Sequence, residues 1–148
     1  MKKEELKNSR QYRKALYNSK AVLLVPMSWC VRFDLTPTEL MILRHIQYMC
    51  KQDSGIFNGS IKGLCSITNC SLPTARKACL SLNNKGWVRK VERKQKIEGG
   101  KIVDWICYQS TVPYEMSPDE KGIESMLRAE LERRKAIGYI TPIKGKTR

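Results

Sequence analysis

The 148-residue chain predicts an α+β fold, a three-helix core followed by a β-hairpin, with one further helix behind it. Three observations carry this prediction. Segments 36–52, 60–69 and 71–84 each open on a capping residue and place apolar residues at helical spacing. Two β-rich runs, 87–94 and 101–109, flank a charged turn containing Gly99-Gly100. A third kind of start, Ser-Pro-x-Glu at 117–120, opens a long charged helical pattern.

The first twenty residues, MKKEELKNSRQYRKALYNSK, are polar, basic and poor in aromatics, and read as a flexible arm. Residues 21–26, AVLLVP, are a short apolar run closed by Pro26 and are expected to form a strand. MSWCVRFD then reads as an irregular connection that offers Trp29 and Phe33 for packing.

The helix at 36–52 has the best-marked start. Thr36 is the N-cap, Pro37 takes the first helical position and Glu39 completes a capping box. Leu35 and Leu40 sit where a hydrophobic staple places them. Leu40, Leu43, Ile46 and Cys50 form one stripe that Ile42 and Met49 widen, so this helix is central to the core. His45 lies on it and reads as a structural histidine. Asp53-Ser54-Gly55 ends the helix.

Ser60 caps the short second helix, whose face is Ile61, Leu64 and Cys65. Asn69 stops it, because asparagine tolerates the left-handed conformation of a tight turn. Ser71 caps the third helix, and Pro73 falls in its first turn, where a missing N–H costs little. That helix buries Ala75, Ala78, Cys79 and Leu82, ends near Asn83-Asn84 and is closed by Gly86. Its first turns carry Thr74, Arg76 and Lys77 on the other face. In the hairpin, Val88, Val91, Ile102, Trp105 and Cys107 are expected to supply an apolar face, and Arg93, Lys94, Lys96 and Lys101 a basic tip.

The last helix is expected at 117–137, with Ser117 as N-cap, Pro118 at the first position, Glu120 closing a capping box and Gly138 as the stop. Ile123, Leu127 and Leu131, flanked by Met126, make a narrow stripe. Such a stripe either docks on the core or pairs with a second copy as a homodimer. The tail TPIKGKTR is basic.

The net charge is +14. Residues 1–34 hold 8 basic and 3 acidic groups, and residues 71–112 hold 9 and 3, so the excess concentrates in the arm and from the third helix onward. This footprint fits a polyanion, with nucleic acid first among candidates. The six cysteines, at 30, 50, 65, 70, 79 and 107, contain no C-x-x-C spacing. They read as reduced, small core residues of a cytoplasmic protein, with no signal peptide and no apolar run long enough for a membrane span. Sharper alternatives are a zinc site or a redox sensor built from Cys65, Cys70 and Cys79. Neither a metal nor a cofactor is otherwise expected.

Strand, helix, short helix, tight turn, helix and hairpin is the element order of a winged helix-turn-helix. A helix fits the DNA major groove with its N-terminal residues at the base edges. The preceding helix buttresses it, and its N-terminus receives a phosphate.

The residues Ser60, Leu64, Cys65, Asn69, Cys70, Ser71, Thr74, Leu82, Gly86, Trp87 and Val88 follow the pattern Ser-x-x-x-Leu-Ala, three residues, Gly, an apolar residue, Ser-x-x-Thr, then a spaced Leu and Gly-apolar-Val. Over residues 21–112 the chain thereby resembles the winged-helix domains of phage, plasmid and integrative-element proteins, among them replication initiators, the N-terminal parts of DnaD-like replisome organisers and small regulators. Cys65 stands for the usual Ala, Asn69 for Gly and Cys70 for a branched aliphatic, all sterically mild departures.

The resemblance implies a domain organisation of basic arm (1–20), DNA-binding domain (21–112) and C-terminal helix with tail (113–148). It implies a sequence-specific binder of double-stranded DNA that acts as transcriptional regulator or replication initiation or accessory factor. Leu72, Pro73, Thr74, Arg76 and Lys77, entered through Ser71, would then face the groove. Arg76 would read guanine through two hydrogen bonds, worth ~1–3 kcal/mol of discrimination, and Lys77 would hold a phosphate. Ser60 and Lys62 would touch the backbone, as would Arg93, Lys94, Lys96 and Lys101 on the wing.

The alternative is a protein-interaction module that uses the 117–137 helix, since fold does not fix function. An enzyme is not expected. The chain has one histidine and lacks a Gly-rich phosphate loop, H-E-x-x-H and G-x-S-x-G.

Overall fold

A computed structural model describes residues 23–52, 55–91, 94–98, 101–116 and 118–138. The architecture is α+β: helices α1 (Ser28–Arg32), α2 (Pro37–Gln52), α3 (Ile61–Thr68), α4 (Leu72–Asn84) and α5 (Glu120–Ala136), with strands β1 (Ile56–Ser60), β2 (Val88–Lys90), β3 (Lys94–Glu98) and β4 (Lys101–Ser110). The sheet is antiparallel. β4 runs through its middle, β1 lies on one side, and β2 and then β3 lie on the other.

Helix α2 is the centre of the core. Its capping box forms: the Thr36 N–H donates to Glu39 Oε1 at 3.0 Å, and the Glu39 N–H donates to Thr36 Oγ1 at 3.1 Å. Leu40, Ile42, Leu43 and Ile46 are fully buried, Cys50 nearly so, and Leu35 is buried beside them. Leu64 from α3, and Ala75, Ala78, Cys79 and Leu82 from α4, close over this face. The buried apolar side chains of α4 are those its 3.6-residue period selects.

Three expectations fail here for identifiable reasons. Residues 23–26 form no strand, and Ala21 and Val22 lie outside the described residues. The Leu24 N–H donates to the Tyr114 hydroxyl at 2.7 Å, and its carbonyl accepts from Arg44 Nε at 2.8 Å, so side chains take the main-chain groups of Leu24 in place of a neighbouring strand. Arg44 is itself fully buried, 3.9 Å from the Tyr114 ring centroid and 5.1 Å from that of Trp29, and burial pulls its guanidinium below its ordinary pKa.

The strand beside the hairpin is instead β1, which pairs with β4 from Ile56↔Gln109 to Ser60↔Trp105. Its sequence, IFNGS, is a poor strand by propensity. Tertiary fit decides it: Phe57 is buried opposite Tyr108, and its ring lies over Gly59, where an added Cβ would sit 2.9 Å from Cζ.

Residues 28–32 are helical, not irregular. Trp29 is fully buried and stacks on Trp87 with ring centroids 5.2 Å apart, and Phe33 meets both rings edge-on. The aromatic packing expected of Trp29 and Phe33 is therefore present, on a short helix that it stabilises.

The last helix starts at Glu120, later than the expected Ser117, which lies outside the described residues. Asp119 is the N-cap, its carboxylate accepting from the Gly122 N–H at 2.9 Å. Glu120, expected to complete a capping box, accepts from the Ser28 hydroxyl of α1 instead. The stripe lies against the protein's own core, the docking alternative of the two: Ile123 is fully buried, Met126 and Leu127 pack beside it, and Leu131 covers Gly86. Helix α5 ends at Ala136, and Gly138 follows with φ 75°.

Between Lys90↔Tyr108 and Lys94↔Trp105, the outer strand advances four residues while β4 advances three. One extra residue is thus inserted where β2 passes into β3, the signature of a bulge. Val91 donates its N–H to the Cys107 carbonyl at 3.0 Å beside this step and is half exposed, so it does not belong to the apolar face expected of it. Val88 and Cys107 are both buried, but Val88 pairs with Ser110, three residues from Cys107, so the two lie on opposite sides of the sheet and do not share one apolar face. The arm 1–20, the Gly99-Gly100 turn and the tail after 138 lie outside the described residues.

Candidate nucleic-acid interface

Two short helices and one tight turn position the central residues. Ser60 ends β1 and caps α3, its Oγ accepting from the Gly63 N–H at 3.1 Å. Asn69 takes φ 56° and ψ 47°, the left-handed conformation that closes α3. Ser71 caps α4, accepting from the Thr74 N–H at 3.3 Å and donating to Thr74 Oγ1 at 2.8 Å. Pro73 sits in the first turn as expected.

From this start α4 divides into two faces. Ala75, Ala78, Cys79 and Leu82 are buried. Ser71, Pro73, Thr74, Arg76 and Lys77 are exposed, and Leu72 is half-buried at the boundary. Lys62 is exposed in the first turn of α3. Among the described residues neither Lys62, Arg76 nor Lys77 forms an ion pair. By contrast Arg32, Lys51, Lys85, Arg89, Arg128, Arg133 and Arg134 all do.

The residues expected on a wing occupy a second element. Lys94 and Lys96 are in β3 and Lys101 starts β4, opposite Glu98. Arg93 lies outside the described residues. The sheet links this arm to α3. Ser60, Trp105 and Lys94 form one row across β1, β4 and β3, so the N-cap of α3 and the root of the wing are about 10 Å apart, two strand spacings. The sequence reading missed β1 and therefore this link. It also passed over Lys90, an exposed cation in β2 whose signal is the run VRKVERKQK.

The titratable groups around the turn are thiols. Burial raises the Cys65 thiol above its ordinary pKa, neighbouring Cys70 adds to this, and the charge of Arg76 opposes it. Burial pushes Cys79 up to about 12, so it stays a protonated core residue. All six cysteines are free, and among the described residues no group of three or more His, Cys, Asp and Glu side chains is arranged to hold a metal ion. His45 is buried edge-on to Phe57, and burial lowers it to about 4. It sits in the core, not on the exposed face of α4. Among the described residues no helix is long and apolar enough to cross a membrane.

No protein-family model matches the chain, and no curated protein or solved structure is significantly similar to it.

Proposed function

We propose that this chain is a winged-helix protein that binds double-stranded DNA with sequence preference, α4 being the recognition helix and β3–β4 the wing. It would serve a mobile element as a transcriptional regulator or as a replication initiation or accessory factor. The element order α2-β1-α3-α4-β2-β3-β4, with β4 between β1 and the outer strands, supports the winged-helix reading. One observation carries the functional one. The first two turns of α4 present Pro73, Thr74, Arg76 and Lys77 to solvent, with both cations unpaired among the described residues, while the opposite side of the same turns is core.

Chemistry then assigns roles. Arg76 offers a planar fork of donors suited to the O6 and N7 acceptors of guanine. Lys77 and Lys62 are point charges suited to phosphates, as are Lys94, Lys96 and Lys101 on the wing. The excess of positive charge, +14 over the whole chain, supports a polyanionic partner. A binding role, not catalysis, is the reading that fits a lone histidine buried away from this face.

The test is selection from a random duplex library with the full chain at near-physiological salt, followed by sequencing. An enriched motif is expected. A palindrome would indicate two copies on one site with half-sites one helical turn apart, and an asymmetric motif would indicate a single copy. A folded protein that enriches nothing would overturn the reading.

A further inference from the structure

We propose that Cys65 and Cys70 form a dithiol modification site, closed to an intramolecular disulfide by a low-molecular-weight disulfide, and that the bridge weakens DNA binding. The second half rests on the function proposed above; the first does not.

The turn between α3 and α4 brings the pair together. With Asn69 left-handed, the N–H groups of both Asn69 and Cys70 point back to the Cys65 carbonyl, the latter at 3.2 Å. This closure from residue 70 to residue 65 sets the two side chains side by side, the contact that accompanies such helix ends. Here both side chains are thiols, and the neighbouring Cys70 helps to raise the Cys65 pKa. Cys70 Sγ is also 3.1 Å from Thr68 Oγ1. Both cysteines are half-buried and so open to a small reagent, whereas Cys50, Cys79 and Cys107 are buried. Disulfides need adjacent backbones, and the hydrogen bond from the Cys70 N–H to the Cys65 carbonyl brings these two backbones together.

The chemistry balances with the reagent named. The Cys70 thiolate attacks one sulfur of the small disulfide RSSR, forming a mixed disulfide and releasing RS⁻. The Cys65 sulfur then attacks Cys70 Sγ and expels the second RS⁻. The two thiol protons end on the two released RS⁻ groups. The cysteines are oxidised by two electrons and RSSR is reduced by two. Cys65 is the resolving partner because burial favours its protonated form, and proximity compensates for its weaker ionisation.

The consequence falls on α4. Cys70 directly precedes Ser71, the cap on which the first turn with Thr74, Arg76 and Lys77 is built. Drawing Cys70 Sγ into a bond removes it from Thr68 and fixes the entry of α4 in a new geometry. A disulfide is uncharged, so the basic face keeps its charge. Affinity should therefore fall with little change in its salt dependence.

The test exposes the full-length protein to oxidised glutathione, blocks free thiols, and maps bridges by proteolysis and mass spectrometry. A Cys65–Cys70 bridge, seen as the loss of two hydrogens on the joined peptides, is expected to accumulate over mixed adducts. C79S should keep it. C65S and C70S should lose it and hold a glutathione adduct at the remaining cysteine, with circular dichroism checking that each is folded. Stable adducts in the unsubstituted protein, or a bridge elsewhere, would overturn the site.

On a duplex found by library selection, oxidised protein should bind roughly tenfold more weakly, within the range of ordinary coupling energies. Dithiothreitol should reverse this, and the double variant C65S/C70S, which can form neither bridge nor adduct there, should be indifferent to oxidant. A bridge without loss of affinity overturns the regulatory half alone. A bridge in a protein that binds no duplex in either state overturns the DNA reading and leaves the dithiol site standing.

Discussion

The Arg134 guanidinium, on the last helix, donates to the main-chain carbonyl of Asn83 at 2.6 Å, at the C-terminal end of α4. The same side chain reaches the Val88 carbonyl in β2 at 2.9 Å and Glu130 Oε2 at 2.8 Å. Glu130 is buried and also accepts from Arg89 in β2 at 2.6 Å and from Arg133 at 3.2 Å. One carboxylate thus joins α5 to β2 and, through Arg134, to the C-terminal end of α4.

Removing that carboxylate strands the buried Arg134. Glu130→Ala is expected to cost about 3–5 kcal/mol in urea unfolding, because the buried Arg134 guanidinium loses the counter-charge of Glu130. Burial alone would raise the Glu130 pKa, but hydrogen bonds from Arg89, Arg133 and Arg134 outweigh it and hold the group down to about 2. The depressed pKa makes its contribution fully present above the ordinary value of 4.5 and lost as pH falls from there towards 2. The Glu130→Gln variant should lack that acid limb; an unchanged limb would show that the network contributes nothing.

His45 titrates in a different window. Burial lowers it from 6.5 to about 4, so the unfolded chain takes up a proton in that interval that the folded chain refuses. Stability should decline as pH drops from about 6.5 to 4, by roughly 1–3 kcal/mol. His45→Leu should flatten this part of the curve while leaving the Glu130 limb below it. Chemical denaturation at half-unit pH steps resolves the two.

At the proposed DNA interface the two cations of α4 should separate by kind of effect. Arg76→Ala is expected to cost ~1–3 kcal/mol at the preferred site and little elsewhere, erasing preference but not binding. Lys77→Ala should weaken all sequences alike and reduce the slope of log K against log salt by ~0.9. Both are exposed and unpaired among the described residues, so the melting temperature should stay put. Preference that survives Arg76→Ala in competition titrations would place the reading face elsewhere.

Gly86 takes φ 92°, and a Cβ there would meet Leu131 Cδ2 at 3.4 Å. Gly86→Ala is expected to destabilise by ~1–3 kcal/mol from the backbone conformation alone. Leu131→Ala combined with it would relieve crowding but not the strain, and thermal unfolding of the double variant should show this.

Capped helix starts were the most legible part of the sequence. Thr36-Pro37-x-Glu39, Ser60, Asn69 and Ser71-x-Pro73 all act locally, within four residues, and all form as read. The two faces of α4 were legible for the same reason. What local reading misassigned depends on distant partners. IFNGS becomes a strand because Phe57 finds Tyr108 and Gly59 admits its ring. AVLLVP is held at Leu24 by Arg44 and Tyr114, 20 and 90 residues away, and no periodicity announces either contact. The Ser117 cap failed against an equally good cap two residues on, Asp119, whose choice is set by where α5 must start to meet Ser28 and Arg32 of α1. The link between Ser60 and Lys94 was invisible because it depends on β1 pairing with β4.

The extra residue between Lys90 and Lys94 carries a consequence for how this protein can vary. Pairs of opposed residues share a side of a sheet, and sides alternate along each strand. With the inserted residue, positions 94 and 96 fall on the side of Trp105 and Cys107; without it they would fall on the side of Tyr108, which packs the core. Deleting one residue there would shift the register of β3 by one, moving positions 94 and 96 to the opposite side at once while leaving composition and net charge nearly untouched. Substitutions along β3 can be gradual, but the length of the chain at this point cannot change.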